Sequence, residues 1–393
     1  MEVQEEMRLL YDLITVCRPT GAGEYVRRVL HELLQQKSCR EGQLEVVGLY
    51  DSERGIAYDD LSVSSMEQRG VRMIDIHNKN VAELVRELKA DHLFIGCAQF
   101  WWRYDGLADV KSNVTCVIHD LSYQEKWQNH IDEYTKLDKR QFWALCYSIG
   151  RLRRKKGSDY MMAPVTQLVE RNPKAQIVVV SDYTRWSVSY QYPSLKDRIK
   201  VLYSPLRHLT GTATVENTQL RQLIDEGTDY CLLLGGKNPL KNGQKAIRAF
   251  MRYAKDGGKM HLLVVGGKTP SCPRLTVVPF LSDGDYEQAL AHAHALLYPT
   301  YFEGFGYPPV EALKYGKPVL CSNLCSIPEV MGDAPIYFSP FYETDIYRAL
   351  MLMDTSDYAQ LQQWAKCRYE VIRERQETDL QTLLIRLTQQ GDE

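Results

Sequence analysis

The chain has 393 residues, enough for two or three domains with a full core in each. With 44% hydrophobic and 25% charged residues it has the make-up of ordinary soluble globular protein. A net charge of −2 gives no overall reason to expect a nucleic-acid partner.

In chain order, the acidic start Met1-Glu2-Val3-Gln4-Glu5-Glu6 does not read as a signal peptide. Leu9 to Val16 reads as a first strand, interrupted by polar Tyr11-Asp12. Arg18 to Gly23 reads as a loop, and Glu24 to Gln35 as a helix with Tyr25, Val29, Leu30 and Leu33 on one face. Strands follow at Leu44–Tyr50, Met73–Ile76 and Leu93–Ile95, with a helix over Val81–Leu88. Val114 to Ile118 is a buried strand that delivers His119-Asp120-Leu121 at its C-terminal end. Helices are expected over Lys139–Arg154 and Tyr160–Arg171, a strand at Ile177–Val180, a Ser181-Asp182 cap on a helix from about Tyr183, and a strand at Val201–Tyr203. Pro205 to Thr228 is polar and irregular and reads as a link. A second alternating series starts at Tyr230–Leu234, turns at Gly235-Gly236 and continues as a helix over Gly243–Tyr253. His261–Val265, Thr276–Val278, Ala295–Leu297 and Val319–Cys321 supply further strands, and the tail from Asp345 to Thr388 is largely helical.

Strands alternating with helices predict parallel sheets covered on both faces, so the fold class is α/β with two Rossmann-like, doubly wound domains. The expected boundaries are 1–204, a linker at 205–228, a second domain at 229–370 and a last helix at 371–393. In such sheets ligands bind beyond the carboxyl ends of the strands. Each candidate motif follows a predicted strand.

The richest stretch runs from Pro299 to Leu313. It sets Glu303 and Glu311 around a Gly304-Phe305-Gly306 turn between a strand and a helix. Pro308 and Pro309 suit the helix's first turn. Loop amides and the positive end of the helix favour a phosphate, and two acceptor-only carboxylates suit the hydroxyls of a sugar and a ribose. Spacing alone equally fits an ordinary βα turn with solvated glutamates. Gly235-Gly236-Lys237-Asn238-Pro239-Leu240-Lys241-Asn242 puts two lysines four apart in a glycine-led turn, a setting for a diphosphate or simply a solvated loop.

Glu303 and Glu311, followed by Gly316-Lys317-Pro318-Val319 and Ser326-Ile327-Pro328-Glu329-Val330, resemble the signature of the family-4 retaining glycosyltransferases. About forty residues carry the resemblance, Leu297 to Ser339. It implies the GT-B architecture: two domains facing across a cleft, with the C-terminal helix crossing back to the first. It also implies that residues 1–204 form the acceptor side and 229–370 the donor side. In this resemblance Glu303 meets the donor sugar, the amides of Gly304, Phe305, Gly306 and Tyr307 meet sugar and phosphate, and Glu311 binds the ribose. Lys241 and Lys237 take the diphosphate, although Lys237 stands where an arginine is more usual and lacks its bidentate fork. Arg18-Pro19-Thr20-Gly21-Ala22-Gly23 resembles the first-domain loop facing the donor, with Gly21 and Gly23 permitting close backbone approach. His119 resembles the histidine that reaches the donor sugar, with Asp120 orienting its ring. Phe280 and Leu281 match the segment that holds the nucleotide base. Domain closure is then expected to bring Gly21, Gly23 and His119 against the sugar.

The expected function is transfer of a hexose or deoxyhexose, mannose or rhamnose first, from a nucleotide-diphosphate sugar to a glycan or lipid-linked glycan acceptor. The donor is a GDP-, dTDP- or UDP-sugar, and no cofactor or metal is expected. Rival readings are a nucleotide-sugar epimerase or hydrolase, and a non-catalytic partner subunit. Glu303, Lys241 and His119 are the expected catalytic residues. Trp101 and Trp102 are candidates for stacking on an acceptor sugar. Arg151 to Lys156, a basic run near aromatics, suits either a solvated helix end or an anionic membrane surface. Asp283-Gly284-Asp285 reads as a helix N-cap rather than a metal motif. Ten cysteines without a Cys-x-x-Cys pair, and no apolar run approaching the roughly 18 residues of a membrane span, suit a reduced, cytoplasmic protein with at most peripheral contact at the inner membrane face.

Overall fold

The computed structural model describes residues 7–122, 161–207, 214–236, 238–267 and 272–389. The chain divides into two compact units, Met1–Arg207 with Glu377–Glu393, and His208–Gln376.

In the first unit the apolar runs become strands β1 (Met7–Asp12), β2 (Leu44–Tyr50), β3 (Arg72–Asp75), β4 (His92–Ile95), β5 (Asn113–Ile118), β6 (Ala175–Val179) and β7 (Ile199–Val201). Among the described residues they form a seven-stranded sheet in the order β3-β2-β1-β4-β5-β6-β7. Every pair is parallel, with Leu9 opposite both Val46 and His92. Parallel pairing requires helical crossovers, so the central strands are covered on both faces. Leu10, Val47, Leu93, Ile95, Val114, Cys116 and Ile177 accordingly fall in one buried cluster.

The second unit repeats the plan with β8 (Tyr230–Leu234), β9 (His261–Val265), β10 (Leu275–Val278), β11 (Ala295–Tyr298), β12 (Val319–Ser322) and β13 (Ile336–Phe338). Their order is β10-β9-β8-β11-β12-β13, again parallel throughout. Cys231, Leu233, Leu262, Val264, Leu297 and Leu320 pack with Ile247, Phe250 and Leu350 of the covering helices. In each sheet the strand order reverses beside the first strand. The two switch points lie between β1 and β4 and between β8 and β11.

Several elements differ from the sequence expectation. β1 stops at Asp12 rather than running to Val16, because the Asp12 carboxylate accepts the amides of Ile14 and Thr15 (2.8 and 3.1 Å) and turns the chain into a short 3-10 helix, Thr15–Cys17. The expected loop at Gly21–Gly23 is instead the first turn of a helix, Gly21–Leu34, capped by Thr20 Oγ1 on the Gly23 amide. β13 was not among the strands expected from the sequence. The expected irregular link contains a helix, Thr218–Asp225, capped by Asn217 and burying Leu220 and Leu223. The helix that Asp283-Gly284-Asp285 is expected to cap spans Asp283–His292, and its cap is Ser282 rather than an aspartate. Asp285 instead accepts the backbone amides of Glu216 and Asn217. The helix expected at Lys139–Arg154 and the basic run Arg151–Lys156 lie outside the described residues.

The tail is two helices, Glu343–Thr355 and Tyr358–Thr388. The second begins in the second unit and, from Glu377, belongs to the first. There Leu380, Leu383, Leu384 and Leu387 are buried, Asp379 accepts the Tyr203 amide (2.7 Å), and Arg386 Nε donates to Thr115 Oγ1 (3.0 Å).

Candidate active site

At the switch point of the second sheet, the loops after β8 and β11 bring two of the expected residues into contact. Lys241 closes a short 3-10 turn, Pro239–Lys241, started by the Asn238 side chain on the Leu240 amide. Asn242 then adopts a left-handed conformation (φ 55°) and opens the helix Gly243–Lys255. From there Lys241 Nζ forms an ion pair with Glu303 Oε1 and a hydrogen bond to Tyr298 Oη (2.8 Å). Tyr298 ends β11 and is buried, and its hydroxyl donates to Glu303 Oε1 (2.7 Å). Burial, reinforced by neighbouring Glu303, raises the Tyr298 pKa well above the ordinary phenol value, so its proton stays on and is donated. Thr300 Oγ1 reaches the same carboxylate oxygen at 2.9 Å. The Glu303 backbone is pinned too, its carbonyl accepting from Ser326 Oγ (3.0 Å).

Past Glu303 the chain runs through buried Gly304, Phe305 and Gly306 into the helix Tyr307–Lys314. Gly306 sits at φ 96°, which calls for glycine, and a Cβ there would also press on the tip of the Ile327 side chain, 2.7 Å away. Pro308 and Pro309 occupy the second and third helical positions, as their sequence predicts. They also remove two donors from the helix's first turn, which leaves Tyr307 as its one N–H ahead of the prolines. That weakens the anion-binding capacity expected of this helix.

Glu311, expected to meet a ribose, is fully buried and accepts from the hydroxyl of Tyr286 on the helix Asp283–His292. Phe280 is 74% exposed and Leu281 is buried, so of these two only Phe280 offers a side-chain surface. Lys237 lies outside the described residues.

In the first unit, His119 follows β5 and lies near the switch point between β1 and β4. Its Nε2 is 2.8 Å from the Gly96 carbonyl, and its ring meets Tyr25 edge-on at 5.0 Å. Burial lowers its pKa, so the imidazole is neutral, donates from Nε2 and presents Nδ1 as an acceptor. Asp120 does not orient this ring: its carboxylate accepts the Ser122 amide (2.8 Å). The helix at Gly21 brings Gly23 so close to its neighbours that a Cβ would lie 2.8 Å from Tyr58 Oη. Close approach, not positive φ, is what that glycine supplies.

Trp101 is fully buried, and its indole N–H donates to Asp12 (3.0 Å). It has no face to offer an acceptor, and the expectation is corrected: the aromatic run Phe100-Trp101-Trp102 read as a stacking platform, but Trp101 serves a buried carboxylate. Trp102 is partly exposed and lies under the Arg103 guanidinium (4.8 Å). Sequence reasoning missed Tyr298, Thr300 and Tyr286. Thr300 lies inside the matched motif and was findable, whereas Tyr298 reads as the last apolar residue of a strand.

Two parallel-sheet α/β units, each with its switch point at the carboxyl edge, define the GT-B fold class of glycosyltransferases. HepE of Anabaena, solved with UDP and glucose, aligns over 97% of this chain and 99% of its own at a TM-score of 0.66 and 15% identity. Residues 215–343, within the second unit, match the family model described as glycosyl transferases group 1. The chain is also similar to two Escherichia coli proteins. O-antigen chain mannosyltransferase B is 30% identical over 207 residues, which is 46% of this chain and 51% of that protein. The serotype-specific mannosyltransferase WbdA is 35% identical over 269 residues, 64% of this chain and 31% of that protein. The chain thus spans about half or less of the length of the curated relatives it matches.

Proposed function

We propose that this chain is a retaining mannosyltransferase that uses a nucleotide-diphosphate sugar to extend a glycan or lipid-linked glycan. The observation that carries the reading is the meeting of Lys241 and Glu303 at the switch point of the second sheet, an ammonium beside a carboxylate where ligands of such sheets bind. The names of the relatives, O-antigen and serotype-specific mannosyltransferases, favour mannose over rhamnose and GDP-mannose as the donor.

In this reading Lys241 turns to the diphosphate and Glu303 accepts from the sugar hydroxyls. The amides of Gly304 to Tyr307 face sugar and phosphate, and Phe280 flanks the base. Glu311 reaches a ribose once Tyr286 gives up its hydrogen bond. The bond from the sugar's anomeric carbon to the diphosphate oxygen breaks, and an acceptor oxygen forms the new bond on the same face. The acceptor's proton passes to the leaving phosphate. Charge grows on that leaving group, where Lys241, once turned to it, and the loop amides stabilise it without a metal.

The test is thermal stabilisation by GDP, UDP and dTDP with and without EDTA, followed by transfer from labelled GDP-mannose. A shift with GDP that EDTA leaves unchanged, and labelled product with retained anomeric configuration, are expected. A preference for UDP or dTDP overturns the mannosyl donor. Loss of the shift in EDTA overturns metal independence, and an inverted product overturns the retaining mechanism.

A further inference from the structure

We propose that Tyr298 is a positioning residue that fixes which oxygen of Glu303 faces the donor sugar; this rests on the donor-site reading above. Three donors converge on Oε1: the Lys241 ammonium, the Tyr298 hydroxyl at 2.7 Å and the Thr300 hydroxyl at 2.9 Å. Among the described residues none makes a hydrogen bond to Oε2, so the carboxylate is polarised into a held oxygen and a presented one.

Of the three donors, Tyr298 is the rigid one. It stands at the end of β11, it is 1% exposed, and its strand pairs with β8 on one side and β12 on the other. Lys241 is a flexible chain, 27% exposed, and in the donor-site reading it moves to the diphosphate. Once it does, Oε1 keeps only its two hydroxyl donors. Thr300 has competing acceptors in the carbonyls of Leu240 (3.2 Å) and Phe302 (3.1 Å), and a hydroxyl has one proton. Tyr298 is therefore what holds the carboxylate when the lysine leaves, and it also lies under the lysine's path, its ring centroid 5.1 Å from Nζ. The consequence is specific: Tyr298 acts on recognition of the sugar, not of the nucleotide.

The experiment is calorimetric binding of GDP-mannose and of GDP to the wild type, Tyr298→Phe, Glu303→Gln and the double variant, repeated with UDP-glucose and UDP or dTDP-rhamnose and dTDP if those pairs bind instead. Phe is isosteric in the buried site, and a melting curve for each variant checks that it folds. Each single variant is expected to weaken the sugar nucleotide about tenfold while the bare diphosphate stays within about twofold, and the double variant is expected to bind no worse than Glu303→Gln. Equal weakening of both ligands by Tyr298→Phe, or additive losses in the double variant, overturns the proposal. Glu303→Gln weakening the sugar nucleotide while Tyr298→Phe binds like wild type overturns it and leaves the donor-site reading standing. A neutral Glu303→Gln, or a wild type that binds none of these nucleotides, sinks that reading and this inference with it.

Discussion

Glu303 and Lys241 neutralise each other in this structure, the side chains being 13% and 27% exposed. A partly buried pair of this kind is held by geometry as much as by charge, because desolvation offsets much of the attraction. In the proposed function the pair is two ligand-binding groups stored against one another. Replacing Lys241 with Met is expected to lower donor turnover about a hundredfold, the scale of losing one preorganised donor to developing negative charge. Steady-state kinetics with GDP-mannose measures it, and a variant within about twofold of wild type would remove Lys241 from the diphosphate role. Both residues were legible in the sequence, since each stands in a recognisable motif. Their contact was not, because sixty-odd residues separate them and only the pairing of β8 with β11 brings their loops together.

At the scale of elements, the loop from β11 into the helix Tyr307–Lys314 depends on one backbone torsion. Gly306→Ala forces a Cβ into a left-handed residue and against Ile327, and is expected to cost about 1–3 kcal/mol of stability and most of the nucleotide-induced thermal shift. Urea unfolding and the same thermal-shift assay check both parts. Central strands β4 and β5 carry a second device. His92 on β4 is buried, its Nε2 lies 2.9 Å from Thr115 Oγ1, and burial with the nearby Arg386 charge pushes its pKa down to about 3. Thr115 Oγ1 also accepts from Arg386, and His92 Nδ1 is buried without a hydrogen-bond partner, so the site favours the neutral ring. An unfolded histidine protonates near pH 6.5, whereas this folded one does not until far lower. Folding stability is therefore intact above that point and falls as pH drops below it. Between pH 7.5 and 5.5 the loss is expected to be about 1.4 kcal/mol, one proton across roughly one unit. His92→Leu should flatten that part of the pH–stability curve, and an unchanged slope would assign the effect elsewhere.

For the molecule as a whole, the long last helix matters most, because its final third belongs to the first unit although it starts in the second. Ending the chain at Gln376 would strip Leu380, Leu383, Leu384 and Leu387 from the first unit, each worth about 1.5–3 kcal/mol of burial. Limited proteolysis with peptide mapping is expected to find the first unit cut rapidly in this variant, and resistance equal to the full chain would mean that the helix end is dispensable. The alternation of buried strands with amphipathic helices, and so the two doubly wound units, was determined by the sequence alone, because hydrophobic period is local and parallel pairing follows from crossover length. The motif from Pro299 to Leu313 was equally plain, because its residues are contiguous. Other features depended on contacts between distant segments. The tertiary structure decided that Trp101 serves Asp12 rather than a ligand, that Glu311 is closed off by Tyr286, and that Tyr298 is a polar anchor rather than the end of an apolar run. A side chain's partner is set by which strand ends the sheet order brings side by side, and no local pattern encodes that order.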